Sequence, residues 1–438
     1  MEEVIRDPVH NMIRFDRERD RLVLELIETR EVQRLRNIKL TGVSYFSYPG
    51  AEHTRFAHSL GTAYLMKRVI EHLEALSGSR SGGPPSAKVI RELRAHRELL
   101  MATALLHDLG HFPLSHLVEE FLGQSHEEWT VRIILDERTE VHRLLVEADP
   151  SYPEKIRAIL ERRFLPSFAV KLISSQLDVD RMDYLLRDSL YTGVRYGNFD
   201  LDWLIHSLRI IEVDGDWELA LDRAKGSRVA EEYILARYYM YQQVYHHKAS
   251  RAAGVMLRGI LRRAAELLRA GQRIFATEPL RKLLTDHGSL TVEDHLELDD
   301  VVLTFAIKMW EKSDDPILSD LCRRLARGRI FRTMELELKD YLKVQEELDR
   351  LARARGFDPR YYLALDSASD NPYTDTYLFG EQVGENIFLV DEKLNLTELS
   401  VASGLIAAIR NREIGVSRLC FPEELEAGIT RVVRSAIR

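Results

Sequence analysis

The stretch "LLHDLGHFPLSH", residues 105–116, ends an apolar, helix-spaced run with three histidines and an aspartate. His107 and Asp108 are adjacent there, and both can reach one cation, because an imidazole nitrogen and a carboxylate project at different angles and lengths. Two protein ligands do not make a site. His58 in "HTRFAHSLG" and Asp180 in "QLDVDRMDYLLRDS" are candidates for the rest, each before or within a helix-like segment. Two imidazoles and two carboxylates form a mixed N/O set that suits Mn, Fe, Zn or Mg and leaves room for water. The plainer alternative is that the histidines are hydrogen-bonded core residues and Asp180 a helix cap.

Outward from this stretch the same spacing recurs in "RLVLELIETREVQRLRNI" (21–38), "SLGTAYLMKRVIEHLEAL" (59–76), "EEYILARYYMYQQVYHHK" (231–248) and "AAGVMLRGILRRAAELLRA" (252–270). The chain reads as mainly α. Strand signals are sparse. "RIIEVDGDWELAL" (209–221) alternates about Asp-Gly like a hairpin, and "YYLALD" (361–366) with "NIFLVD" (386–391) suggests a small sheet. "SGSRSGGPPSAK" (77–88) has no periodicity and reads as an exposed loop. Beyond about residue 270 no catalytic constellation is visible, and charged helices there suggest packing or assembly.

Composition narrows the classes. At 438 residues the chain exceeds a usual single domain, so two domains or one enlarged helical domain are expected. Hydrophobic content of 45% with 30% charge excludes a disordered chain. No apolar run reaches the ~18 residues that cross a bilayer, and "MEEVIRDPVH" does not read as a secretion signal. Cys322 and Cys420 are too few for a disulfide framework or a cysteine metal site, which favours a cytoplasmic location. A net charge of −8 argues against a nucleic-acid platform.

"DPVHNMIRF", "QRLRNIKLTG", "TRFAHSLG", "LLHDLGHFPLSH", "SHEEW" and "LDVDRMDYLLRDS", in that order, resemble the HD-domain phosphohydrolases. Within them the chain is most similar to the deoxynucleoside triphosphate triphosphohydrolases, including the HD core of the SAM-and-HD-domain enzyme, although no SAM domain is present. The resemblance implies a helical HD-type core over residues 1–270 and a smaller α+β region over 271–438 for packing or oligomerisation. It implies that His58, His107, Asp108 and Asp180 hold one divalent metal ion, which acidifies water and neutralises phosphoryl charge. Attack would fall on the α-phosphate, giving nucleoside and intact triphosphate.

The same resemblance assigns further roles. His116 is placed as the acid for the leaving 5′-oxygen, with Glu119 one turn on to orient it. His111 and His126 are rivals: on a continuing helix His111 would share a face with His107, and Glu127 could tune His126. Arg55, Arg181, Arg237 and Lys248 are candidates for phosphate binding, the family having lysine where Arg181 stands. Tyr184, Asp188 and Tyr245 are matched to sugar recognition. Leu40 and Thr41 replace a glutamine and a leucine of the family, and Thr41 is expected to relax exclusion of a ribose 2′-hydroxyl. Gln33 and Arg36 match a regulatory guanine-nucleotide segment between subunits, with Glu28 in place of aspartate, so a homodimer or homotetramer is expected. The rival functions are an HD hydrolase of other nucleotides or phosphate esters, and a nucleotide-binding regulator without turnover.

Overall fold

The computed structural model describes residues 1–76, 87–213, 215–374 and 385–436. The opening motif follows the helix Arg97–Leu106, in which every residue from Leu99 to Leu106 is buried. A helix apolar all round belongs in a core, and this one packs against the helix Arg55–Ala75. Thr54 caps that helix by accepting from the Ala57 amide, which places His58 in its first turn. The helix Val179–Thr192 also packs on the Arg55–Ala75 helix and is capped by Asp178, which accepts from the Arg181 amide. Asp178 is therefore the cap, and Asp180 in the first turn is left for another role. Two helix starts and one helix end thus meet at one place.

The helix does not continue through the motif. It stops at Leu106, residues 107–115 are turns and irregular backbone, and a new helix runs His116–Leu122. His111 therefore reaches its neighbours through a loop and not along a helix face. Leu114 and Ser115 lie in the left-handed region, with φ of 55° and 57°, a cost of ~1–3 kcal/mol each that the surroundings must over-determine. Asp300 does so by accepting from the amides of Leu114 (2.6 Å) and Lys39 (2.9 Å). Ser115 Oγ adds a bond to the Lys39 carbonyl.

The hairpin near 209–221 is present: β3 (Leu208–Val213) pairs antiparallel with β4 (Asp216–Asp222), and Gly215 takes φ +87° at the turn. The expected single sheet at 361–391 is two. Of its segments, β6 (Ala364–Asp370) joins β5 (Arg332–Glu335) through β9 (Ile414–Phe421), whereas β7 (Phe388–Val390) pairs with β4 and with β8 (Leu396–Glu398). A β1–β2 hairpin (Glu2–Asp7, Asn11–Asp16) opens the chain. The expected loop at 77–88 lies outside the described residues except for 87–88, which begin the helix Ala87–Ala95. The aromatic segment is broken: the helix Arg223–Met240 passes into a π turn at Tyr241–Tyr245, and a new helix runs Lys248–Arg269. Among the described residues no helix is long and apolar enough to cross a membrane.

One hydrophobic cluster joins Val43, Phe112 and Trp129 to the Lys248–Arg269 helix and to residues as far as Cys420. The motif loop is thus packed on the later half of the chain. His295 sits fully buried at this junction, stacked on Trp129 (ring centroids 4.5 Å apart) and edge-on to Phe112 (4.6 Å). Neither of its ring nitrogens has a hydrogen-bond partner. Burial, with Arg34 and His111 adding to it, pushes its pKa well below 6.5. The unfolded chain therefore binds a proton there that the folded chain refuses, so this stability is present above pH 6.5 and is lost as pH falls below it. We expect His295→Leu to flatten the acid limb of denaturant stability by about 1.4 kcal/mol per pH unit below about pH 6. Parallel pH profiles in wild type and variant would show His295 to be no linkage site.

Candidate metal centre and its cavity

His58, His107, Asp108 and Asp180 converge as expected. His58 Nε2 lies 3.0 Å from Asp180 Oδ1 and 3.7 Å from Asp108 Oδ2; His107 Nε2 lies 3.4 Å from Asp108 Oδ1 and 3.6 Å from Asp180 Oδ1. The ring orientations fit a cation. His107 Nδ1 meets the Ala104 carbonyl at 2.8 Å and His58 Nδ1 meets Asp183 Oδ2 at 2.7 Å. Both partners only accept, so each Nδ1 carries the proton and each Nε2 keeps its lone pair for the centre. His107 Nε2 is buried without a hydrogen-bond partner. Burial opposes a proton on His58, yet Asp180 and Asp183 outweigh it and raise its pKa to about 10. The same carboxylates that draw a proton there would draw a divalent ion: His58, His107 and Asp108 bring donor atoms within 4.8 Å of one another, Asp180 lies against both imidazoles, and this mixed set fits one.

Asp183 is the support that sequence reading missed. Its carboxylate is fully buried and accepts from His58, from His10 Nε2 (2.6 Å) and from Arg187 Nε and Nη2 (2.8 and 2.9 Å). Arg187 also binds Asp7 at 2.8 Å, so the N-terminal hairpin is tied to the metal centre through one buried charge network. Asp183 lies one turn after Asp180 on the same helix and His10 lies in "DPVHNMIRF", so both were within the quoted motifs. What was missing was the signal that a ligand imidazole needs an acceptor behind it.

Arg55 is buried and spends its donors on the centre. It donates to Asp108 Oδ2 (2.6 Å), Ser115 Oγ (2.9 Å) and the Leu40 carbonyl (3.3 Å). Beside it, Glu119 collects three imidazoles: His111 Nδ1 at 2.6 Å, His126 Nδ1 at 2.8 Å and His116 Nδ1 at 3.3 Å. Burial disfavours its charge, but these hydrogen bonds hold the Glu119 carboxyl far below the ordinary range. Burial, with Arg55 and His126 adding to it, lowers His111 to about 3, so it is neutral. Its Nε2 is 3.2 Å from Asp108 Oδ1, which makes His111 the link between the two clusters.

A cavity of about 670 Å³ opens on both groups. His58, Asp108, Asp180, His111, His116 and His126 line it, as do Arg55, Thr41, Tyr184, Asp188 and Tyr245. Asp188 accepts from Tyr245 Oη (2.8 Å) and pairs with His53 Nε2 (2.7 Å); His53 was not anticipated. The buried Thr41 hydroxyl has no hydrogen-bond partner. Ser367, Ser369 and Asp370 of β6 form the far wall, with His246 bonded to Asp370 at 2.8 Å. The region beyond residue 270 therefore reaches the cavity, contrary to the sequence expectation; the adjacency is made by β6 pairing and leaves no local pattern.

Of the three arginines expected at the phosphates, Arg55 lines the cavity and Arg181 and Arg237 do not. Arg181 turns back to Asp178 and the Ser175 carbonyl. Arg237 is buried against Tyr241, with Nε and Nη1 lacking partners. Lys248 begins the helix after the π turn, outside the cavity wall. Gln33 bonds the Ile27 carbonyl and Arg36, whose guanidinium lies over Phe56 on the surface.

The sequence matches the HD domain model over residues 55–188 and an HD associated region over 199–354. It is 38% identical to the uncharacterized protein YwfO of Bacillus subtilis over 97% of this chain and 93% of that protein. It is 29% identical to the human deoxynucleoside triphosphate triphosphohydrolase SAMHD1 over 58% of this chain and 43% of that protein. The fold is similar to that of a phosphohydrolase from Bacteroides thetaiotaomicron, with a TM-score of 0.79, 29% identity, and coverage of 97% of this chain and all of that one.

Gly61 marks how tightly the support is built. A Cβ there would overlap Asp183 Oδ1 and come within 2.7 Å of Arg187 Nη2. We expect Gly61→Ala to push Asp183 off His58 and weaken divalent-metal affinity tenfold to a hundredfold, with the far-ultraviolet helical signal retained. Chelator competition measures this; wild-type affinity in Gly61→Ala would show that Asp183 does not set the His58 ring.

Proposed function

The chain belongs to the HD-domain phosphohydrolases, and from that premise we propose that it hydrolyses deoxynucleoside triphosphates to nucleoside and triphosphate. The observation that carries the reading is one cavity lined both by His58, Asp108 and Asp180 and by Tyr184, Asp188 and Tyr245. A divalent ion on the four ligands supplies Lewis-acid polarisation of a phosphoryl oxygen and a more acidic water. Its identity, among Mn, Fe, Zn and Mg, is open to direct metal analysis.

The chain's own groups then divide the work. Arg55 holds Asp108 in place while part of its guanidinium still borders the cavity. The P–O5′ bond breaks as the water oxygen bonds to the α-phosphorus, and the electron pair left on O5′ needs a proton. His116 is the proposed donor, oriented by Glu119, with His126 on the same carboxylate as its rival and neutral His111 fixing the Glu119 carboxylate in place. Arg237, whose Nε and Nη1 lack partners among the described residues, and Arg181, after leaving Asp178, are the proposed phosphate partners. Asp188 accepts the sugar 3′-hydroxyl between the Tyr184 and Tyr245 rings. Gln33 and Arg36, accessible on the surface, are the proposed contacts of a regulatory nucleotide within a homo-oligomer.

The metal-loaded protein, given a panel of mono-, di- and triphosphates, is expected to release inorganic triphosphate from deoxynucleoside triphosphates. Release of orthophosphate or pyrophosphate instead would turn the reading to another HD hydrolase, and no turnover would turn it to a binding protein. Two variants should separate the roles. Asp180→Ala is expected to lose metal and activity together, whereas His116→Ala keeps the metal and loses about 10²–10⁴-fold in kcat; equal metal loss in both would remove His116 from proton transfer.

Thr41 sets sugar selectivity on this reading. Thr41 lines the cavity, and its buried, unpaired hydroxyl would turn to bond a ribose 2′-hydroxyl, which a leucine cannot do. Thr41→Leu is expected to raise the ratio of kcat/KM for deoxy- over ribonucleotide about tenfold, a modest factor because bulk rejects a hydroxyl weakly. An unchanged ratio would take Thr41 out of the sugar site.

A further inference from the structure

We propose that His111, His116, Glu119 and His126 form a second, zinc-selective cation site whose filling shuts the enzyme down. The regulatory half of this rests on the reading above, in which His116 holds the leaving-group proton; the site itself does not. Three imidazoles and one carboxylate bring their ligand atoms within 4.8 Å of one another. All three Nδ1 atoms face one carboxylate, at 2.6, 2.8 and 3.3 Å. Donors on one tetrahedral zinc sit roughly 3.3 Å apart, from zinc bonds of about 2.0–2.2 Å, so the side chains need little movement to trade their protons for an ion.

Access and selectivity differ from those of the first centre. His116 is 71% exposed at the cavity mouth, so an ion can enter and leave without unfolding the protein. Glu120 and Glu127 line the same cavity and add negative charge. The first centre offers two imidazoles and two carboxylates; this one offers three imidazoles and a single carboxylate. A nitrogen-rich set favours zinc over manganese or magnesium.

The consequence follows from proton accounting. An imidazole bound through Nδ1 keeps one proton on Nε2 as a neutral ligand and has no imidazolium proton to release to O5′. Glu119, holding the ion, no longer orients His116. Occupation of the second site therefore stops leaving-group protonation while leaving the first centre and the sugar pocket intact.

The test uses the full chain loaded with one equivalent of manganese and titrated with zinc, both metals being counted after gel filtration. Zinc bound in excess of manganese displaced is expected to reach one equivalent, with the hydrolysis rate falling at least tenfold as it fills and recovering when a chelator removes it. Cobalt(II) in place of zinc should give visible absorption of a tetrahedral site. Glu119→Gln and His126→Ala should each lose this equivalent and keep manganese; Asp180→Ala should lose manganese and keep the zinc. Saturation with no excess zinc, or excess zinc that survives both Glu119→Gln and His126→Ala, overturns the site. A filled site with an undiminished rate overturns the inhibition. A protein that turns over no nucleotide refutes the function proposed above, and the metal counts and cobalt spectrum still decide the site.

Discussion

One buried carboxylate governs the geometry of this protein. Asp183 has no access to solvent and must be neutralised from within. It takes hydrogen bonds from His58, His10 and Arg187, and so couples the ring of a candidate metal ligand, the N-terminal hairpin and a second carboxylate, Asp7, in one network. Breaking a buried pair of this kind costs ~3–5 kcal/mol because the survivor stays charged and unpaired. The stability of three distant segments is therefore spent on the same atoms that fix the His58 tautomer. That is why the sequence keeps a glycine at position 61, where a methyl group would strike the carboxylate.

The motif loop has a second constraint. It carries His107, Asp108 and His111 through irregular backbone and launches the His116 helix from two left-handed residues. Arg34, buried without a carboxylate partner, donates to the carbonyls of Leu109, His111 and Leu298. Asp300 holds the Leu114 and Lys39 amides from the other side. Both clamps use residues 298–300, so the segment after the core helices fixes the strained loop. The loop cannot relax to a regular helix while these bonds hold, and its histidines stay gathered around Glu119.

The helical class was legible because apolar spacing is a local property, and the gathering of His58, His107, Asp108 and Asp180 at one place was legible because they sit in an ordered set of motifs. Tyr184 and Asp188 share the cavity as their four-residue spacing implies. What stayed hidden is non-local. His53, His10 and Asp183 act through partners far away in the chain, and β6 becomes a cavity wall only through its pairing with β9. Arg181 lies off the cavity because adjacency to Asp180 fixes where a backbone starts, not where a long side chain points; its guanidinium is held by Asp178. The sequence reading left open a helix continuing through His111, because histidine, glycine and proline spacing does not disclose two positive φ angles at Leu114 and Ser115.

The central claim is that water attacks the α-phosphorus of a nucleoside triphosphate at the His58–His107–Asp108–Asp180 centre. Turnover in ¹⁸O-enriched water, followed by mass spectrometry of both products, tests it most directly. The account predicts one labelled oxygen in inorganic triphosphate and none in the nucleoside. Label in the nucleoside, or in orthophosphate released beside a nucleoside diphosphate, would contradict it.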